Sequence, residues 1–233
     1  MITDFNKTFN SCGDCKDKSC AAAILHPDEL EQISNNSRET TFRKGDILVQ
    51  AGSMTSNIIY LKSGLVKEYV TNSDNREHIL QIVKKYTYLG LSSLFGDRVN
   101  HYSYAALTDV KVCYIDINTF NQLVRENGNF AYEILVSVSR DSLNNFHRFM
   151  SQSQKKIYGR VAEAILYFAR IIFEQDSFEL PFTRQEFADL IGVSRESATR
   201  VLLKFVAEGL LSIQGRVIRI ENPELLDKIS RNG

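Results

Sequence analysis

Long apolar runs are missing from this chain. No stretch approaches the roughly 18 residues that cross a bilayer, so no membrane-spanning helix and no membrane partner are expected. The opening residues, MITDFNKTFNSC, lack the apolar core of a secretory leader. The cytoplasm is therefore the expected compartment. Net charge is missing as well, because 28 Lys and Arg balance 28 Asp and Glu. A general field announces no partner, so any polyanion would have to be held by individually placed Arg side chains. Cysteines number only four. In a reducing compartment they are expected to be ligands, sensors or core residues rather than disulfides. His26, His78, His101 and His147 show no close pairing, and the chain has no HExxH, phosphate loop or nucleophile–base pair. An enzyme is not expected. What is present is 233 residues, 43% hydrophobic and 24% charged, enough to bury a real core in one large or two modest domains.

The most informative stretch is FTRQEFADLIGVSRESATRVLLKFVAEG, residues 182–209. Thr183 followed three residues on by Glu186 is a capping box at a helix start. Phe187, Leu190 and Ile191 recur at helical spacing, and Gly192 ends the helix where a left-handed residue is cheap. Ser194 caps a second helix, whose expected buried face is Val201, Leu202, Phe205 and Val206. Arg195, Glu196, Ser197, Thr199 and Arg200 crowd its first turns. A helix-turn-helix presents that end to base edges. Arg forks onto guanine, Glu accepts from cytosine N4, and Thr meets polar edges or a thymine methyl. A helical hairpin with a solvated charged end has the same local pattern. The following stretch LSIQGRVIRI alternates around Gln214-Gly215 as a β-hairpin, completing a winged helix-turn-helix with Arg216 and Arg219 near phosphates. Residues 155–220 hold ten Lys/Arg and eight Asp/Glu, a surplus of +2.

TRQEFADLIGVSRESATRVLLKFVAEGLL resembles the DNA-binding domain of the CRP/FNR family of bacterial transcription regulators. The resemblance implies a cytoplasmic homodimer that binds palindromic double-stranded DNA, with RNA polymerase as a further partner. It assigns DNA contacts to Thr183, Arg184, Ser194, Arg195, Glu196, Ser197, Thr199, Arg200 and Arg216. The Arg-Glu-x-x-x-Arg set of the cyclic-AMP branch matches Arg195, Glu196 and Arg200. The Glu-x-x-Ser-Arg set of the FNR branch matches Glu196 and Arg200, with Thr199 in the Ser position. The half-site stays open between the two branches.

Cys12, Cys15 and Cys20 form a C-x2-C-x4-C cluster, and Cys113 lies far along in the β-like run DVKVCYIDI. Three close thiols plus a distant one suit an iron–sulfur cluster, and four thiolates also suit a structural zinc. Three exposed thiols plus one buried core cysteine fit the same pattern. The FNR-type oxygen-sensing branch has such a triplet plus one β-roll cysteine, which implies a [4Fe–4S] cluster on these four residues. The spacing between Cys15 and Cys20 is one residue shorter than in the best-known member.

Upstream of the helical half, Phe42, Gly45, Ala51-Gly52 and Ser63-Gly64 punctuate short β-rich runs, as in a cyclic-nucleotide-binding β-roll of the jelly-roll type. A nucleotide-binding member would carry Gly-Glu and an Arg for the cyclic phosphate. Here Gly90-Leu91 and Asn100 stand in those places, and the nearby Arg98 falls two residues early. An anionic phosphate buried without a cation is costly, so no cyclic nucleotide is expected. From Phe120 to about Met150 the pattern is helical. Phe130, Ile134, Val138 and Phe149 form an apolar stripe interrupted by Ser142 and Asn145, read as a dimer helix with a marginal seam.

The expected architecture is α+β: a cysteine-bearing segment over 1–20, a β-roll sensor over 21–120, a dimerisation helix over 121–152 and a winged helix-turn-helix over 153–233. The expected function is a transcription regulator responding to oxygen or redox state through the cluster. Two other readings stay open. One is a regulator of the same family responding to haem-bound nitric oxide or another small molecule. The other is a zinc-stabilised adaptor that binds protein through the β-roll.

Overall fold

The computed structural model describes residues 18–73 and 76–233. Among them the strands make two four-stranded antiparallel sheets and one three-stranded sheet. The first sheet orders as β1 (Ser37–Phe42), β8 (Val110–Asp116), β3 (Asn57–Ser63) and β6 (Thr87–Leu89). The second orders as β2 (Ile47–Val49), β7 (Ser103–Ala106), β4 (Leu65–Thr71) and β5 (Glu77–Lys84). They face each other as the expected β-roll.

Strands with a period of two place alternate residues on opposite faces, and here the inner strands β3 and β4 are buried on both. On β3, Ile59 and Leu61 point into the roll, while Ile58 and Tyr60 point to helices outside it. On β4, Val66 points into the roll, while Leu65 and Tyr69 join the core of the C-terminal domain. Gly64 joins β3 to β4 at φ +87°, where a Cβ would lie 2.4 Å from the Asp109 carbonyl oxygen. Only glycine fits that turn.

Helices α1 (Cys20–Ala23), α2 (Pro27–Asn35) and α4 (Ile117–Glu126) cover the first sheet. A short α3 (Leu91–Phe95) follows β6. The expected single long helix is two helices. Asn127 ends α4 and caps α5 (Gly128–Gln154), its Oδ1 accepting from the Asn129 and Phe130 amides at 3.1 and 3.0 Å. Its Nδ2 donates to both Glu29 carboxylate oxygens at 2.9 and 3.0 Å, which pins the break to α2. The start of α5 is core: Phe130 is 0% and Ile134 2% exposed, packed with Phe120, Leu123 and Ile115. These two residues are therefore anchors to the β-roll and do not lie on an open seam. Further along, Leu143, Phe146 and Phe149 are exposed, as are Ser142 and Asn145.

A break at residues 155–156 leads to α6 (Ile157–Tyr167), which continues as a π-helical turn over Phe168–Ile172. Then come β9 (Ser177–Glu179), α7 (Arg184–Leu190), α8 (Arg195–Ala207), the hairpin β10 (Leu211–Gln214) and β11 (Val217–Ile220), and α9 (Pro223–Asn232). Strand β9 pairs with β11 and makes the wing three-stranded. The C-terminal core of Val161, Ile165, Phe168, Phe187, Val201, Phe205 and Leu210 is continuous with the outer face of the second sheet through Leu65, Tyr69, Ile79 and Ile82.

Candidate DNA interface and sensor sites

The helix-turn-helix is built as its capping signals predict. Thr183 Oγ1 accepts from the Glu186 amide at 3.2 Å, and the Thr183 amide donates to Glu186 Oε2 at 2.8 Å. Gly192 takes φ +67° in the turn. Arg160 on α6 donates to the Gly192 carbonyl at 3.2 Å, which ties the turn to the segment leaving the long helix. Ser194 Oγ accepts from the Ser197 amide at 3.2 Å and starts α8.

One face of α8 is buried through Ala198, Val201, Leu202 and Phe205. Val206, expected on that face, is 38% exposed instead. Ser194, Arg195, Glu196 and Arg200 lie exposed at the other face, with Ser197 and Thr199 half-buried between them. Arg200 Nη2 donates to Ser197 Oγ at 3.3 Å, and Thr199 Oγ1 donates to the Arg195 carbonyl at 2.7 Å. The first contact orients the guanidinium along the helix start without neutralising it. Arg216 is exposed at the wing tip. Arg184 behaves otherwise. Its Nη2 reaches the Gly215 carbonyl at 3.4 Å, its Nη1 is buried without a hydrogen-bond partner among the described residues, and burial lowers its pKa. It braces α7 against the wing.

Of the cysteines, Cys12 and Cys15 lie outside the described residues. Cys20 is exposed at the first position of α1, and Cys113 is half-buried on β8. Ser19 caps α1 and its hydroxyl meets the Tyr88 hydroxyl at 2.6 Å. Ala21 of α1, Cys113 and the α5 anchors Phe130 and Ile134 all belong to one apolar cluster. Among the described residues, no three His, Cys, Asp or Glu side chains are grouped to hold a metal ion.

In the place expected for a cyclic nucleotide, Leu91 is buried in the core at 4% exposure and carries no carboxylate. Asn100 is also buried. Its Nδ2 donates to the Ser53 carbonyl at 3.2 Å and to Ser53 Oγ at 3.0 Å, while its Oδ1 accepts from Thr55 Oγ1 at 3.1 Å. This is a neutral network complete in itself. Arg98 is exposed, at φ +63°.

Sequence reasoning missed a polar cluster deeper in the roll. Glu68 on β4 is buried; it accepts from Gln81 Nε2 at 3.0 Å and bonds Tyr104. Burial raises its pKa despite these bonds and the nearby Arg148. Asp141 on α5 is pushed up to about 6, first by burial and then by Glu68. One turn pair further along, Arg148 keeps Nη1 buried without a hydrogen-bond partner among the described residues. No local motif marks such a cluster, because its members come from β4, β5, β7 and α5. Among the described residues, no helix is long and apolar enough to cross a membrane.

Known proteins resemble the chain in both halves. Residues 39–127 match the family model of the cyclic nucleotide-binding domain, and residues 159–229 match that of the Crp-like helix-turn-helix domain. The fumarate and nitrate reduction regulatory protein of Yersinia pestis is 28% identical over 229 residues, covering 95% of this chain and 90% of its own length. The corresponding regulator of Klebsiella oxytoca is 27% identical over 227 residues, covering 94% and 90%. Among solved structures, FixK2 from Bradyrhizobium japonicum superposes with a TM-score of 0.75 at 20% identity, covering 83% of this chain and 96% of that one. A CRP/FNR-family regulator from Thermus thermophilus superposes with a TM-score of 0.70 at 20% identity, covering 84% and 99%. With a cyclic-nucleotide-type β-roll, a long connecting helix and a capped winged helix-turn-helix in this order, the chain belongs to the CRP/FNR family of DNA-binding transcription regulators.

Proposed function

We propose that this regulator binds a palindromic duplex as a homodimer, and that a [4Fe–4S] cluster on Cys12, Cys15, Cys20 and Cys113 sets its dimerisation and DNA affinity. Arg195, Glu196 and Arg200 read base edges, Ser194, Ser197 and Thr199 support them, and Thr183 and Arg216 meet phosphates. Arg184 serves by bracing the wing. Two recognition helices about 34 Å apart match successive major-groove faces of one palindrome. RNA polymerase is a further partner of the bound dimer.

The observation that carries the sensing step is the shared apolar cluster of α1, Cys113 and the anchors of α5. Cys20 sits on α1 and Cys113 on β8, so a centre held by both would tie the amino-terminal segment to the seat of the long helix. When bound, a [4Fe–4S] cluster supplies an oxygen-labile cross-link between thiolates. The protein's own part is mechanical: Phe130 and Ile134 transmit the position of that cluster along α5 to Leu143, Phe146 and Phe149. The second reading, a small-molecule signal with idle cysteines, is favoured by the polar group of Glu68 on β4 with Asp141 and Arg148 on α5. Cyclic AMP is not that ligand, since Leu91 and Asn100 supply neither the carboxylate nor the cation it needs.

The test is anaerobic reconstitution with iron and sulfide, followed by absorbance, dimer fraction and affinity for a palindrome selected from random duplexes. The expected result is a broad visible absorbance, more dimer and tighter binding, all reversed by air. Cys113→Ala abolishes the response as fully as Cys15→Ala. In the same assay Arg200→Ala costs about 1–3 kcal/mol and relaxes one base position. A quadruple cysteine variant that matches the wild type in DNA affinity and in its response to air would overturn the sensing step.

A further inference from the structure

The two domains are joined by a buried charge as well as by a shared core. Lys67 on β4 is 9% exposed and lies on the same face as Leu65 and Tyr69, towards the DNA-binding domain. Its ammonium bonds Glu77 of the neighbouring strand, and it bonds Glu186 Oε1 on α7 at 2.9 Å. Burial would lower the lysine pKa, yet the bonds to Glu77 and Glu186 outweigh it and raise it. Glu186 is also the carboxylate of the capping box, bound to the Thr183 amide and hydroxyl at 2.8 and 3.1 Å. Burial would raise its pKa; Thr183 and Lys67 together hold it below the ordinary value. One carboxylate therefore starts the first helix of the helix-turn-helix and fastens that helix to the sensor. A second fastening lies along β5, where Lys84 Nζ donates to the Ile171 carbonyl at 2.9 Å and the Ile82 carbonyl accepts from the Tyr167 hydroxyl at 3.3 Å.

We infer that the Lys67–Glu186 pair is an autoinhibitory clamp, which holds the DNA-binding domain on its own β-roll until dimerisation repositions it. The inference rests on the DNA-reading assignment above. Glu186 lies within one turn of Thr183, a residue assigned to phosphate contact, so the β-roll grips the helix end that a duplex must approach. Lys67 also marks a conduit. Its neighbour Glu68 points the other way, into the roll towards Asp141 and Arg148, and the ladder to β5 shifts register between Glu68 and Tyr69. The extra residue of that bulge is Leu80 on β5. Lys67 and Glu68 are consecutive on β4, so movement of α5 against Glu68 is passed through the β4 backbone to Lys67.

Charge alone and the clamp predict opposite signs for one substitution. Lys67→Met removes a positive charge, which by field effects weakens DNA binding. It also leaves the Glu77 and Glu186 carboxylates facing each other without their shared cation, which opens the clamp. The expected result for the full chain is about fivefold or more tighter binding to a palindrome selected with the wild-type protein. Glu186→Gln is the milder companion, because Gln still serves the capping box. The double variant gains less than the product of the two single effects, since either one alone opens the clamp. Hydrogen exchange without DNA gives an independent reading: residues 77–84 and 184–190 lose protection together in both variants, while residues 57–63 do not. Unchanged or weaker DNA binding by Lys67→Met, with that loss of protection present, overturns autoinhibition. Unchanged protection overturns the clamp itself. A wild-type protein that selects no duplex overturns the DNA-reading assignment and leaves the exchange result to stand on its own.

Discussion

Asp141 is a carboxylate that the fold holds against its preference. Burial and Glu68 raise its pKa to about 6, from an ordinary 3.8. A group whose folded pKa exceeds its unfolded one binds more protons in the fold, so it favours the native state below both values and loses that contribution as pH rises through the folded one. The window here runs from near 3.8 up to about 6. Glu68, raised by burial, acts in the same direction. Melting temperature should therefore climb as pH falls from about 7.5 to about 5. Asp141→Asn should melt higher than wild type at the upper end and show a flatter profile, retaining the slope that belongs to Glu68. A variant profile parallel to wild type would mean that Asp141 is solvated in solution.

At the scale of the element, α5 has two uses along one length. Its first turns are core and its later turns carry Leu143, Phe146 and Phe149 at exposures of 59%, 56% and 67%. Phe130→Ala should therefore cost stability, about 3–5 kcal/mol, with a fall in melting temperature. Phe146→Ser with Phe149→Ser should leave melting of the monomer nearly unchanged and weaken the dimer instead. Each Phe covered on association is worth about 1.5–3 kcal/mol, so sedimentation should show a loss of dimer affinity of at least about tenfold per residue. The helical period along this segment was legible in the sequence. Its division at Asn127 was not, because that break depends on Glu29 from a helix far upstream. Nor could the period tell the Phe130 face, which meets the β-roll, from the Phe146 face, since both read as apolar. Strands β3 and β4 and the capped helices α7 and α8 were legible for the opposite reason. Their signals are local: Gly64 at a tight turn, Thr183 with Glu186, Ser194 before a polar first turn. Lys67 shows the limit most clearly. Its partner Glu186 lies 119 residues away, and a lysine in a β-rich run reads from sequence as solvated.

At the scale of the whole molecule, the sheet β2-β7-β4-β5 is a layer between two cores. Leu48, Val66, Val83 and Ala106 fill the roll on one side, and Leu65, Tyr69, Ile79, Ile82 and Leu107 meet the C-terminal domain on the other. A two-faced strand cannot be exposed on one face without loss. Full burial of one large apolar side chain is worth about 1.5–3 kcal/mol, taken as an upper value because unfolded chains already hide part of their surface. Five such residues make the C-terminal domain a structural cover for the sensor as well as its output. A chain truncated after residue 152 should therefore melt more than about 5 °C below the full chain and bind a hydrophobic dye that the full chain excludes. The full chain should unfold in a single transition, because neither half keeps its core when the other opens. Lys67→Met tests a different level of the same contact, since it removes the ion pair and keeps the apolar face. It should leave dye binding low while loosening α7. Equal melting temperatures for the truncated and full chains would mean that the two halves fold independently, and would remove the shared core as a route from sensor to DNA.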